Sequence, residues 1–199
     1  MIRVFGVPES RAYRCLWCLR ELGLAYEHVP THFKGASKDE ALLAVNPNGR
    51  VPALVDDDVA IFESMAINLY LVRKYGEGTP LALRGIADEA RALEWSFWAM
   101  TEVEMALLDL LAYGFSLPPA ERDPVRVENA RAKLARPMRV LDTTLATAPY
   151  LHGAHFGIGD LNVSAVLGWG KLARFDFSPW PNVGPWLDRC VKREAAVLA

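Results

Sequence analysis

A chain of 199 residues with 52% hydrophobic and 23% charged residues is globular, and at this length buries roughly 70% of its unfolded surface without disulfides or metals. Its net charge of −2 gives no footing for nucleic acid or an anionic membrane, and no apolar run reaches the roughly 18 residues of a bilayer span. Three cysteines (Cys15, Cys18 and Cys190) suit a reducing compartment, and MIRVFGVPES lacks the apolar stretch of a signal peptide, so a cytoplasmic protein is expected.

The two halves of the chain differ in period. Ile2–Phe5 is a short β-prone run closed by Gly6 and Pro8. From Arg11 to Leu22 the apolar residues Ala12, Cys15, Leu16, Leu19 and Leu22 recur at helical spacing, and Gly23 follows where a helix ends. Tyr26–Val29 is a second strand. Ser37-Lys38-Asp39-Glu40 fits a capping box opening a short helix to about Val45. Pro52–Val55 and Val59–Phe62 are strands around an Asp56-Asp57-Asp58 turn, and Ser64 to Lys74 is helical. The order is β-α-β-α-β-β-α. GEGTPLALRG after Tyr75 is the best linker in the chain. Beyond it the periods are helical, at about 86–113, 124–146, 158–173 and 183–195, with no strand pair. A small α/β domain followed by an all-α domain is expected.

The stretch Asn46-Pro47-Asn48-Gly49-Arg50-Val51-Pro52-Ala53-Leu54 carries the most information. A turn rich in Asn, Pro and Gly runs into a strand whose first residues include a proline, which removes one ladder donor. Glu63-Ser64 follows immediately ahead of a helix, where a hydroxyl and free N–H groups make a carboxylate site. Taken alone, Ser64 only caps that helix.

The string NPNGRVPALVDDDVAIFESMAINLYLVRKYG resembles the glutathione-binding half of the cytosolic glutathione transferases. Their pattern is N-P-x-G-x-V-P-x-L, a hairpin, then E-S-x-A-I and a Y-L pair before K-Y. Val4-Phe5-Gly6-x-Pro8-x-Ser10 and Glu21-Leu22-Gly23-Leu24-x-Tyr26-Glu27 are similar to the family's first strand and helix. Gly157-Ile158-Gly159-Asp160 resembles its capping motif, normally S/T-x-A-D. The likeness is to a serine-type, phi/theta-like bacterial member, specific over 1–76 and loose between 77 and 150.

The resemblance implies a thioredoxin-like glutathione-binding domain over residues 1–76 and an all-helical domain over 86–199 that carries the electrophile side. It implies a cis Val51–Pro52 bond, with the Val51 main chain meeting the cysteine of glutathione. Glu63 would hold the γ-glutamyl ammonium, Ser64 its carboxylate, and Lys38, with Ser37 as the second candidate, the glycine carboxylate. A homodimer acting on a small hydrophobic electrophile is the family expectation, with glutathione as co-substrate and no metal.

The reaction needs a thiolate, and a thiol with a pKa near 8.5 is only about 3% ionised at pH 7. The family uses a Tyr, Ser or Cys at the start of the first helix. No tyrosine precedes Tyr13, and Ser10, between the Gly6–Pro8 turn and the helix, resembles the serine-type members in its spacing. The resemblance therefore implies Ser10 as the catalytic residue. A plain N-cap is its competing role, with Tyr13 next in line for the thiolate. Cys15-Leu16-Trp17-Cys18 offers a redox alternative. A redox pair works at a helix N-terminus, however, and these cysteines lie inside the helix, so they are expected to be core.

Three further features carry no chemistry. Asp56-Asp57-Asp58 is expected to face water, His152 and His155 lack partners at metal spacing, and Trp95, Trp98 and Met105 stand at helical spacing as core. The resemblance nonetheless implies that the helix of these last three faces the cleft, where one of them would line the hydrophobic site. Gly157 lacks the side-chain oxygen of the usual cap, while Asp160, and Phe156 with Leu161, can still fasten the helix start. The leading expectation is conjugation of glutathione to an electrophile. A glutathione-dependent isomerase or disulfide reductase, a non-enzymatic transferase-like regulator and a thioredoxin-type oxidoreductase stand behind it.

Overall fold

The computed structural model describes residues 1–197. Two compact units divide the chain: residues 1–84 joined by the segment from Glu194, and Gly85–Arg193. The chain has an N-terminal thioredoxin-like βαβ sheet followed by an all-helical part.

The first unit comprises β1 (Ile2–Phe5), α1 (Ala12–Glu21), β2 (Tyr26–Val29), α2 (Glu40–Leu43), β3 (Ala53–Asp56), β4 (Val59–Phe62) and α3 (Ser64–Tyr75). The sheet runs in the order β2-β1-β3-β4. β1 and β2 are parallel, with Ile2 beside Tyr26, as strands joined through a helix can be. β1 and β3 are antiparallel, and so are β3 and β4, where Asp56 pairs with Val59 across a two-residue turn. Asp57 takes φ +55° in that turn, a conformation aspartate tolerates better than most residues. β3 starts one residue later than the sequence suggests, because Pro52 has no N–H for the ladder.

Two expectations are corrected here. Asp56 does not face water: it is 1% exposed and accepts bonds from Lys74 Nζ (2.7 Å), Tyr75 (2.7 Å) and Tyr70 (2.9 Å). Burial alone would raise its pKa, but these three donors outweigh it and hold the carboxylate below its usual range. The cap of α2 is Asp39, whose Oδ1 accepts Leu42 N–H at 2.9 Å, and not Ser37. Ser37 and Lys38 instead belong to a separate 3-10 turn, Ala36–Lys38, because Asp39 takes the extended conformation that a helix cap needs.

α1 is buried almost all round, with seven of its ten residues inaccessible. Its remaining edge holds the end of the chain: the Tyr13 hydroxyl donates to the Ala196 carbonyl at 3.0 Å, and Arg20 Nη1 to that of Val197 at 2.5 Å. This segment therefore packs with the first unit, whereas the sequence assigns everything past residue 86 to the helical domain.

The second unit comprises α4 (Ile86–Trp98), α5 (Glu104–Leu111), α6 (Pro124–Leu145), α7 (Ile158–Leu172) and α8 (Val183–Val191). α6 opens on a proline, with Asp123 Oδ1 accepting Val125 N–H at 2.9 Å and Arg126 N–H at 3.1 Å. α7 is the core helix, buried without interruption from Ile158 to Leu167. Wide π-helical turns at Ala99–Val103 and Ala112–Ser116 follow α4 and α5. The first adds a residue to the turn and resets the buried face, so Trp95 is buried while Met105 is 62% exposed. Met105 is not the core residue its spacing suggests.

Candidate functional site

Ser10 closes the loop after β1 and opens α1. Its Oγ accepts the Ala12 N–H at 3.1 Å and donates its proton to the Val7 carbonyl at 2.7 Å. That carbonyl also accepts the Ser10 N–H at 3.0 Å, so it has a second donor. The loop depends on Gly6, at φ +131°, where a Cβ would lie 2.5 Å from Ala12 Cβ and 3.2 Å from Val51 Cβ. Only a residue with no side chain passes between the start of α1 and Val51. The same Cβ position is 3.6 Å from Ser10 Oγ, so Ser10 and Val51 flank one point of backbone. The Gly6 carbonyl is held by His28 Nε2 at 2.6 Å; the acceptor is a carbonyl, so this nitrogen carries the proton.

The Val51–Pro52 bond is cis. Val51 packs with Phe5, Ala36, Leu42 and Ala53, which joins the turn ahead of β3 to the Ala36–Lys38 turn. Asn46 builds that turn: its Nδ2 donates to the Arg50 carbonyl at 2.6 Å, and its Oδ1 accepts Asn48 N–H at 3.0 Å. Gly49, at φ +60°, lies so close to Ser37 that a Cβ would meet its Cα at 2.7 Å. Lys38 is exposed beside this contact.

Glu63 and Ser64 stand together at the start of α3. Glu63 holds φ +70° and ψ +114°, a strained conformation for a residue with a Cβ, and its side chain is exposed. Ser64 is 2% exposed, and its Oγ accepts a hydrogen bond from Arg14 Nη1 at 3.1 Å. Arg14 is itself only 1% exposed, on α1 about one turn beyond Ser10. Asn68 Nδ2 donates to the Arg14 carbonyl at 3.2 Å and ties α1 to α3. Reading the stripe of α1 misses Arg14; the signal for it is the unbroken apolar run Cys15–Leu19, which marks a helix buried beyond a single stripe. A buried guanidinium behind a helix-start hydroxyl is an arrangement for a carboxylate.

Cys15 Sγ donates to the Ser64 carbonyl at 3.8 Å. Cys15 and Cys18 are both fully buried, and burial pushes both thiols far above their ordinary pKa. The Tyr13 hydroxyl is committed to Ala196, and burial raises its pKa, which leaves it protonated. Among the described residues, no three His, Cys, Asp or Glu side chains are grouped to hold a metal ion, and no helix is long and apolar enough to cross a membrane. We expect Cys15→Ala/Cys18→Ala to lose about 1–3 kcal/mol of stability, by urea unfolding, and to retain the activity of the wild type. A folded but inactive double variant would bring the redox reading back.

Residues 1–73 match the family described as Glutathione S-transferase, N-terminal domain, and residues 124–189 match Glutathione S-transferase, C-terminal domain. The chain belongs to the cytosolic glutathione transferase family. It is 31% identical over 199 residues to the glutathione S-transferase GstB of Escherichia coli strain K12, covering 98% of this chain and 95% of that one. A theta-class glutathione S-transferase from Xanthomonas axonopodis pv. citri, solved with glutathione bound, superposes with a TM-score of 0.88 at 30% identity, covering 98% and 94% of the two chains. Ure2p5 from Phanerochaete chrysosporium, cocrystallised with 1-(S-glutathionyl)-2,4-dinitrobenzene, gives a TM-score of 0.85 at 26% identity, covering 98% and 90%. Within this family the loop at Ser10, the turn at Val51–Pro52 and the start of α3 lie on the domain that the first match covers.

Proposed function

We propose that the protein conjugates the glutathione thiolate to a hydrophobic electrophile, with Ser10 stabilising the thiolate. The observation that carries this reading is the state of the Ser10 hydroxyl. Its lone pair is already polarised by the Ala12 N–H at the start of α1, and its proton rests on a carbonyl that keeps another donor. Turning the O–H from Val7 to a sulfur anion therefore strands no buried group. Such a bond to a charged acceptor is worth about 1.5–3 kcal/mol, and the helix start adds about 0.3–1. Together these suffice to bring a thiol from about 8.5 to about 6.5, which requires roughly 2.7 kcal/mol. No general base is needed.

The other roles follow the family pattern. The Val51 main chain meets the cysteine of glutathione, and Glu63 takes the γ-glutamyl ammonium. Ser64 donates to the γ-glutamyl carboxylate, with the charge of Arg14 behind it, and Lys38 reaches the glycine carboxylate. The strain at Glu63 supports this assignment, since such backbone persists where a ligand site demands it. A disulfide-exchange reaction is disfavoured by the burial of Cys15 and Cys18; an isomerase would use the same binding half.

The protein works in the cytoplasm as a homodimer on this reading, with Phe62 at 37%, Phe97 at 65% and Met105 at 62% exposure supplying apolar surface for the partner. Light scattering should give twice the chain mass of 22.1 kDa; a monomer at micromolar concentration would exclude the dimer.

The test is calorimetric titration with glutathione beside turnover of a 1-halo-2,4-dinitrobenzene. One binding site per chain with saturable turnover is the expected result. No binding at millimolar glutathione would favour the regulator, and binding without conjugation would favour the isomerase or reductase.

A further inference from the structure

The helical unit starts α7 in an unusual way. Gly157 stands where the family pattern carries a serine or threonine cap, and Gly159 where it carries alanine. Asp160, fully buried, does part of the fastening: Oδ2 accepts Gly157 N–H at 3.0 Å, and Oδ1 accepts Leu151 N–H at 2.9 Å and Trp186 Nε1–H at 2.8 Å. The Gly159 N–H, in the first turn, is taken by a side chain from outside the helix. It donates to His152 Nε2 at 3.1 Å, while His152 Nδ1 meets Asp88 Oδ1 at 2.5 Å. Because Nε2 accepts from an N–H, it is the bare nitrogen, and the ring proton sits on Nδ1, donated to Asp88.

The glycines fit around this ring. A Cβ at Gly157 would lie 2.6 Å from His152 Cδ2 and 2.7 Å from Cγ, and one at Gly159 would lie 2.7 Å from Nε2. Gly157 has φ −135°, which any residue adopts, so its backbone does not call for glycine. Gly159 is helical, where glycine is disfavoured. Space for the imidazole is what both positions have in common.

We propose that His152, oriented by Asp88, is the N-terminal cap of α7, supplied from outside the helix in place of the hydroxyl, and that Gly157 and Gly159 are glycines because the ring fills their Cβ positions. The four residues form one device. Its lone pair is already used, so His152 is not a free base or a metal ligand.

The device predicts a reversal of sign. His152→Ala removes the cap, and Gly157→Ser drives a side chain into the ring, so each single variant should melt about 3–8 °C below wild type. In His152→Ala/Gly157→Ser the serine has room and restores a side-chain cap, so the double variant should melt above both singles. A double variant melting below both, or Gly157→Ser as stable as wild type, would overturn the proposal. If Gly157→Ser does not fold, a folded double variant supports it, and a double variant that also fails counts against it. Nitrogen-15 NMR of the intact wild-type protein at neutral pH provides the second arm. An unprotonated His152 Nε2 is expected; a proton on that nitrogen would remove the acceptor and end the proposal.

Discussion

Ser10→Ala should lower conjugation turnover about 10–100-fold near pH 7 while leaving glutathione affinity within a few-fold. The affinity should survive because, on the proposed reading, Glu63, Ser64 and Arg14 hold the other end of the tripeptide. The lost rate should return as pH rises toward 9, where glutathione ionises unaided near its ordinary pKa of about 8.5. This pH dependence separates the chemical role of Ser10 from its structural one. Removing the hydroxyl also removes the bond to the Ala12 N–H, worth about 1 kcal/mol of stability. That loss does not reverse at alkaline pH, so a rate that stays low at pH 9 would point to misfolding of the loop. Ser10→Cys should keep part of the activity. Unchanged turnover in Ser10→Ala would move the thiolate contact to the backbone N–H groups at the start of α1, since the Tyr13 hydroxyl is engaged with Ala196.

Arg14→Met should weaken glutathione binding about 10–100-fold, seen as a raised KM, with kcat at saturating glutathione changed less than about 3-fold. Methionine keeps the length of the side chain and discards its charge and its bond to Ser64. Taking one partner out of a buried polar pair leaves the other unmet, so about 1–3 kcal/mol of stability should be lost as well, and the KM change is read on the folded variant. Ser64→Ala should show the same KM effect. The double variant should be little worse than either single, because both residues serve one carboxylate. A fall in stability with KM unchanged would make Arg14 a packing residue and its bond to Ser64 a purely structural tie between α1 and α3.

Most of the first unit is legible in the sequence because its elements have local causes. A short apolar run rich in β-branched and aromatic residues makes Val59–Phe62 a strand, Gly23 ends a helix, and Pro52 withdraws from the ladder. What fails to show is set by distant contacts. Asp56 looks like one of three solvated acids until Lys74, Tyr70 and Tyr75 converge on it from α3. Arg14 looks like the polar side of an amphipathic helix, because period alone does not reveal that the helix is buried almost all round. In the second unit, the π-helical turn at Ala99–Val103 turns Met105 outward, and a period of 3.6 residues contains no warning of it. The residues proposed for the site (Ser10, Lys38, Val51, Pro52, Glu63 and Ser64) come from the family resemblance, and the sequence does not show how they are held. The capping role of Asp39 and the commitment of the Ser10 proton to Val7 become visible only in three dimensions.

The pKa of the bound thiol is the most direct quantity to measure. Ultraviolet thiolate absorbance of the glutathione complex, titrated with pH, should give about 6.5 for the wild-type protein and about 8.5 for Ser10→Ala. Equal values in the two proteins would contradict thiolate stabilisation by Ser10.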